Sequence, residues 1–380
     1  MRKAWLDNIR FSTVLLVLVY HVFYLFNGVG VPGSIPEAKN IPGFDTLAAV
    51  IYPWFMVLLF VIAGISARYA LAGNPGNTAV GSLEAGDAGT GNAAAECPAK
   101  NRRTEGQFIK ERAVRLLVPS TLGLFAVHWI TGYLNIRMGG GLAYIPPVLL
   151  YPIAAVSGTG PLWFAQMLFL FSCVLVLLRK ADRKDRVWAV CGKANLPVIL
   201  LLSLPLFGAA QVLNLPVLTM YRFGIYFCAF LIGYYIFSHE RVQELTERVR
   251  IPMACLAVIG AVLYAVYYGG SDYTAESCLQ SAATNFYLWI VVLAVIGCGR
   301  KYFDRETKVT GYLSRAGFGL YVLHYPILIA VCYVLCYDFD IPAIWNYTIA
   351  LAAAFIPTFA AYELIRRIPL LRYVVLGIKN

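Results

Sequence analysis

The chain has 380 residues, of which 60% are hydrophobic and 13% charged, and a mean hydropathy of +0.68. A soluble domain carries about 25% charged residues, so this composition excludes an ordinary soluble protein and points to a polytopic membrane protein. The net charge of +11 raises nucleic acid as a partner, and the distribution of that charge over the predicted spans answers the question.

Ten apolar runs lie near 9–27, 47–71, 116–135, 161–178, 197–214, 221–237, 252–268, 283–299, 316–336 and 343–364. Each comes close to the ~20 residues that cross a ~30 Å hydrocarbon core. Only Lys39, Arg137 and Arg222 lie outside the N-terminus, the even-numbered loops and the C-terminus. The positive-inside rule then predicts an all-α bundle of about ten transmembrane helices with both termini in the cytoplasm. The setting is a bacterial-type inner membrane with lipids as neighbours. Topology accounts for the charge, and no nucleic-acid partner is expected. Positive residues precede the first run, but it has span length and no convincing cleavage site follows, so it is expected to remain as a helix.

That first span contains "LDNIRFSTVLLVLVYH", from Leu6 to His21. Asp7 and Arg10 are one turn apart. Arg10 and His21 fall within about 20° of one helical face, separated by ~16 Å of rise. Polar side chains within a span turn to the bundle interior, so the three residues form one stripe. The next outer loop, 28–44, is rich in Pro and Gly and predicts an ordered coil. The Gly/Ala-rich stretch at 73–99 reads as a flexible cytoplasmic insertion.

"GQFIKERAVRLLVPS", residues 106–120, places Lys110, Arg112 and Arg115 just before the third span. Guanidiniums bind phosphate bidentately, although charge alone also fits the topology signal. His128 has no charged neighbour on its face. Residues 138–161 are semi-apolar and broken by Gly and Pro. A dip into the outer leaflet there requires a cavity or protein cover. Trp163 and Gln166 open the fourth span, and Asn285 opens the eighth. In "GFGLYVLHYPILI", residues 317–329, His324 lies mid-span with Tyr321 one turn before it, and Pro326 frees a carbonyl and can bend the helix around a site. The nine Cys show no metal spacing, and no metal site is expected.

The order of these motifs resembles the acyltransferase-3 family of membrane O-acyltransferases. The resemblance rests on the spacing of Arg10 and His21, on "LLFVIAGISARYAL" with Gly64, and on "FIKERAVRLLVP" with Arg112 and Arg115. "PLWFAQMLF" and "LYVLHYPI" complete it, although Tyr325 separates His324 from Pro326. The tail "AYELIRRIPLLRYVVLGIK" is similar to a branch that adds succinyl groups to periplasmic glucans. The resemblance implies one membrane acyltransferase domain over 1–380. It implies acyl-CoA as donor cosubstrate, no tightly bound cofactor, and a glycan or other carbohydrate hydroxyl as acceptor.

On that implication His21 is the general base or an acyl carrier, Arg10 and Asp7 are positioning groups, and His324 polarises the thioester or orients the acceptor. Lys110, Arg112 and Arg115 would hold the CoA phosphates. Trp163, Gln166, Tyr321 and Asn285 are candidate oxyanion donors or substrate contacts by residue type. The main rival is a transporter or flippase for glycans or lipid intermediates, since broken helices and buried His also occur there. A haem held between His21 and His324 is a second rival.

Overall fold

The computed structural model describes residues 3–72, 104–215 and 221–379. The predicted insertion at 73–99 lies outside them. The described chain is helical, and its only extended pairing is an isolated bridge between Asn214 and Arg222. Eight helices are long and apolar enough to cross a membrane. They are α1 (Ala4–Leu25), α2 (Pro42–Ala72), α3 (Glu105–Met138), the helix from Gly160 to Ala181, and four in the C-terminal half.

Between α3 and the helix of Trp163 lies α4 (Pro147–Ser157), an apolar element too short to span. It packs back against α3, as the broken composition of 138–161 requires. The following helices are α5 (Gly160–Ala181), α6 (Arg186–Cys191), α7 (Leu196–Ala210), α8 (Phe223–Phe237) and α9 (Glu240–Arg248). Next come α10 (Arg250–Tyr268), α11 (Ala282–Tyr302), α12 (Lys308–Tyr337), α13 (Ala343–Ile365) and α14 (Pro369–Leu376).

The expected fifth and sixth spans are thus α7 and α8, both in the 10–17 residue class. At 1.5 Å per residue they reach roughly 15–26 Å, short of a ~30 Å core. The hydropathy of the sequence suggested longer helices. Pro205 has no N–H to continue the ladder, and α7 is broken at Leu202. The bridge at Asn214 then ends the segment.

α1 sits in the middle of the bundle against α2, α11, α12 and α13. Its first turn is anchored by polar contacts. Asn8 donates to the carbonyls of Phe303 and Arg305 at 2.5 and 2.8 Å, and the Trp5 N–H donates to Asp304 at 3.1 Å. At the other end of the chain, Leu376 and Ile378 border the same space as Asp7 and Arg10. The two chain ends therefore lie at one face of the bundle, as the charge distribution predicts.

Glycines set two of the closest crossings. A Cβ on Gly64 would strike the carbonyl of Phe230 on α8, and a Cβ on Gly233 would strike the carbonyl of Val61 on α2. The pair lets α2 and α8 meet backbone to backbone, the usual small-residue device in membranes. Replacing Gly64 by Val is expected to cost about 1–3 kcal/mol through overpacking. The measurement is the melting temperature and folded yield of the purified protein, with Gly43→Ala as control because its Cβ meets nothing within 4 Å. An unchanged melting temperature for Gly64→Val would contradict the crossing.

Candidate active site

The stripe on α1 forms as its periodicity demands. Arg10 pairs with buried Asp7 at 2.9 Å and donates to the Ser66 hydroxyl on α2 at 2.6 Å. Above it, His21 meets a second histidine. His324 of α12 is fully buried, and its Nε2 lies 3.2 Å from His21 Nδ1.

The backbone assigns the ring protons. His324 Nδ1 lies 2.7 Å from the Tyr321 carbonyl, and His21 Nδ1 lies 2.8 Å from the Val17 carbonyl. A carbonyl accepts only, so each Nδ1 of a neutral ring carries the N–H. His324 Nε2 is then an acceptor, and the His21 Nδ1–H is shared between it and Val17. This assignment leaves His21 Nε2 with its lone pair available, the state of a general base.

Pro326 shapes the same region. Lacking an N–H, it leaves the carbonyl of Val322 without its helical partner. His128 supplies the replacement from α3, with Nε2 at 2.8 Å. The sequence offered no charged neighbour to mark His128. The signal was the proline four residues beyond the orphaned carbonyl, which needs a donor from another helix.

Two cavities flank this centre. The inner one has a volume of about 160 Å³ and is bordered by Asp7, Arg10, Ser66, Arg112, Arg115 and Arg315 among apolar residues. The outer one has a volume of about 440 Å³ and is walled by His21, Trp163 and seven tyrosines. Tyr321 borders both. Its hydroxyl donates to the Pro161 carbonyl.

Arg112 and Arg115 border the inner cavity where α3 is not a regular α-helix. A π-helical segment covers Ala113–Leu117, and such insertions often accompany functional sites. Arg112 is buried with its guanidinium over the Phe108 ring. Lys110, two residues earlier, points about 200° away from Arg112 and is exposed, off the cavity wall.

The outer wall includes Trp163, buried and stacked on Tyr226 at 5.4 Å. Gln166 instead ties helices together, donating to the Ser120 carbonyl at 2.9 Å. Asn285, in the first turn of α11, donates to the Leu279 and Ser281 carbonyls at 3.0 and 2.8 Å and borders neither cavity. Two site residues escaped sequence reasoning. Arg315 stands nine residues before His324 on α12, about half a turn off its face, so the period that marked Arg10 and His21 gave no signal for it, although it borders the inner cavity. Tyr325 packs its ring edge-on to His21 at 5.0 Å. The 3.2 Å contact between the histidines leaves no room for a haem between them.

The acyltransferase-3 family model, described as an acyltransferase domain, matches residues 3–363. No curated protein and no solved structure gives a match.

Proposed function

Because this multi-pass membrane chain belongs to the acyltransferase-3 family, we propose that it moves an acyl group from a cytoplasmic acyl-CoA to a hydroxyl of a glycan or other carbohydrate. The observation that carries the reading is the pair of cavities meeting at Tyr321, with His21 on the outer side and guanidiniums on the inner. The localisation that goes with it is a bacterial-type inner membrane.

In this reading Arg112, Arg115 and Arg315 hold the donor phosphates at the inner face through charge-assisted hydrogen bonds. Arg10, fixed by Asp7 and Ser66, lines the path toward the outer cavity. The tyrosines and Trp163 offer flat faces and hydroxyls, which suit the C–H faces and hydroxyls of a sugar ring. His21 Nε2 takes the proton from the acceptor hydroxyl. That oxygen forms a bond to the thioester carbonyl carbon, the C–S bond breaks, and the thiolate leaves with a proton returned by His21. His324 uses both ring nitrogens on Tyr321 and His21. Its role here is therefore to orient His21 and not to polarise the carbonyl. An acyl-His21 intermediate is the variant of the same chemistry.

The donor assignment is tested by equilibrium binding of labelled acetyl-CoA to the purified protein in nanodiscs. Arg112→Ala and Arg115→Ala are each expected to weaken binding about 10-fold or more, the worth of a charge-assisted hydrogen bond. Undiminished binding by the double variant would remove the donor site from the inner cavity. A transporter would bind the glycan without requiring CoA, so donor binding also separates the two readings.

A further inference from the structure

We propose that Tyr321 is the gate between the two cavities, and that the bulk of its ring sets which acyl groups reach His21. This rests on the acyl-transfer reading and adds the residue that selects the donor by its width.

One layer of side chains separates the cavities. On α1, Val14 borders the inner cavity and Val17 the outer. On α2, Leu59 borders the inner and Met56 the outer. Three residues of helix rise about 4.5 Å, the depth of a single side-chain layer. These four residues are buried, so α1 and α2 present packed core at this level. On α12 the layer is a single residue. Tyr321 is the only described residue that borders both cavities.

Its ring is held in place without being locked. The hydroxyl donates to the carbonyl of Pro161 at the start of α5. The ring stands edge-on to Phe164 at 5.9 Å and tilted to Phe318 at 6.2 Å. Both phenylalanines border the inner cavity, and Pro161 borders the outer. A hydrogen bond of this kind contributes about 0.5–1.5 kcal/mol net, so releasing it costs little within a turnover. The outer cavity, at about 440 Å³, gives the displaced ring room.

The backbone of Tyr321 can stay where it is. Its carbonyl receives the His324 Nδ1–H, and His324 meets His21. Rotation between side-chain rotamers opens the passage and leaves the histidine pair in register.

The chemistry requires such an opening. The donor phosphates are assigned to arginines of the inner cavity, whereas His21 borders only the outer one. The thioester carbonyl meets the acceptor hydroxyl at His21 only if the acyl end passes the Tyr321 layer. A narrow acyl group passes a ring that has turned aside. A broad one still meets the ring edge, Val14 and Leu59. The Tyr321 hydroxyl is engaged by Pro161 while the gate is shut, so selection comes from the bulk of the ring.

The test measures turnover of acetyl-CoA and benzoyl-CoA by the full chain in nanodiscs, with a neutral oligoglucan as acceptor. The wild-type protein is expected to favour acetyl-CoA. Tyr321→Ala is expected to raise the benzoyl-to-acetyl ratio of kcat/KM at least about tenfold, the low end of the discrimination a single methylene produces in an apolar pocket. Tyr321→Phe is expected to keep the wild-type ratio, because the ring remains. An equal change for both donors in Tyr321→Ala, the mark of a merely structural role, overturns the proposal. So does a Tyr321→Phe variant that shifts the ratio as far as Tyr321→Ala. Should Tyr321→Ala fail to fold, Tyr321→Leu is read by the same ratio, and no shift there overturns the proposal equally. A wild-type protein that transfers both acyl groups alike overturns this inference and leaves the acyl-transfer reading standing. One that transfers nothing and binds no donor sinks both.

Discussion

Replacing His21 by alanine is expected to abolish acyl transfer while leaving the protein folded and able to bind its donor. The Nε2 lone pair is the only base positioned by the two contacts that fix this ring, to Val17 and His324. General-base catalysis contributes about 10²–10⁴-fold, so product formation should fall by that factor. The donor phosphates are assigned to arginines of the inner cavity, which the substitution does not touch, so labelled donor should still bind. The two readouts together separate a chemical defect from a folding defect. Full turnover in His21→Ala would end the assignment. Intact mass spectrometry after mixing with donor alone distinguishes the two roles for His21. A histidine-linked acyl group marks a carrier, and an unmodified protein marks a base.

His324→Ala should lower turnover by about 10–100-fold, the usual cost of losing a partner that orients a functional histidine. The physical reason is the tautomer. His324 Nε2 helps hold the proton on His21 Nδ1, and without it the His21 ring can turn or shift that proton to Nε2. The loss should fall on kcat, with donor binding retained, because His324 is buried behind His21 and borders neither cavity. His324→Gln, whose amide oxygen can accept from His21, should recover part of the rate. Equal loss in the Ala and Gln variants would argue that His324 serves packing alone.

How much of this was legible follows from where each constraint lives. The polar stripe on α1 was readable because helical periodicity fixes angles within one element. Arg112 and Arg115 were readable as a basic pair, but the π-helical turn that accompanies their arrival at the cavity was not. Gln166 and Asn285 were candidates by residue type alone, and Lys110 by its place in the basic cluster with Arg112 and Arg115. The fold sends Lys110 to the surface and engages the two amides with backbone carbonyls. His128 looked idle because its partner is a backbone carbonyl on another helix, a group that is present at every position of a sequence. Span five looked full length because hydropathy counts apolar residues and does not register the break at Leu202.

The amino-acid sequence by itself determined the helical class, the face on which both chain ends lie, and the line from Asp7 through Arg10 to His21. Each follows from composition, charge bias or period along a single segment. Only the tertiary structure decided that His324 touches His21 across 303 positions of chain. It also decided that Tyr321 is the only described residue to border both cavities. These depend on how α1, α5 and α12 pack, which is set by volumes and glycine contacts summed over many residues, and no local pattern in one helix encodes that sum.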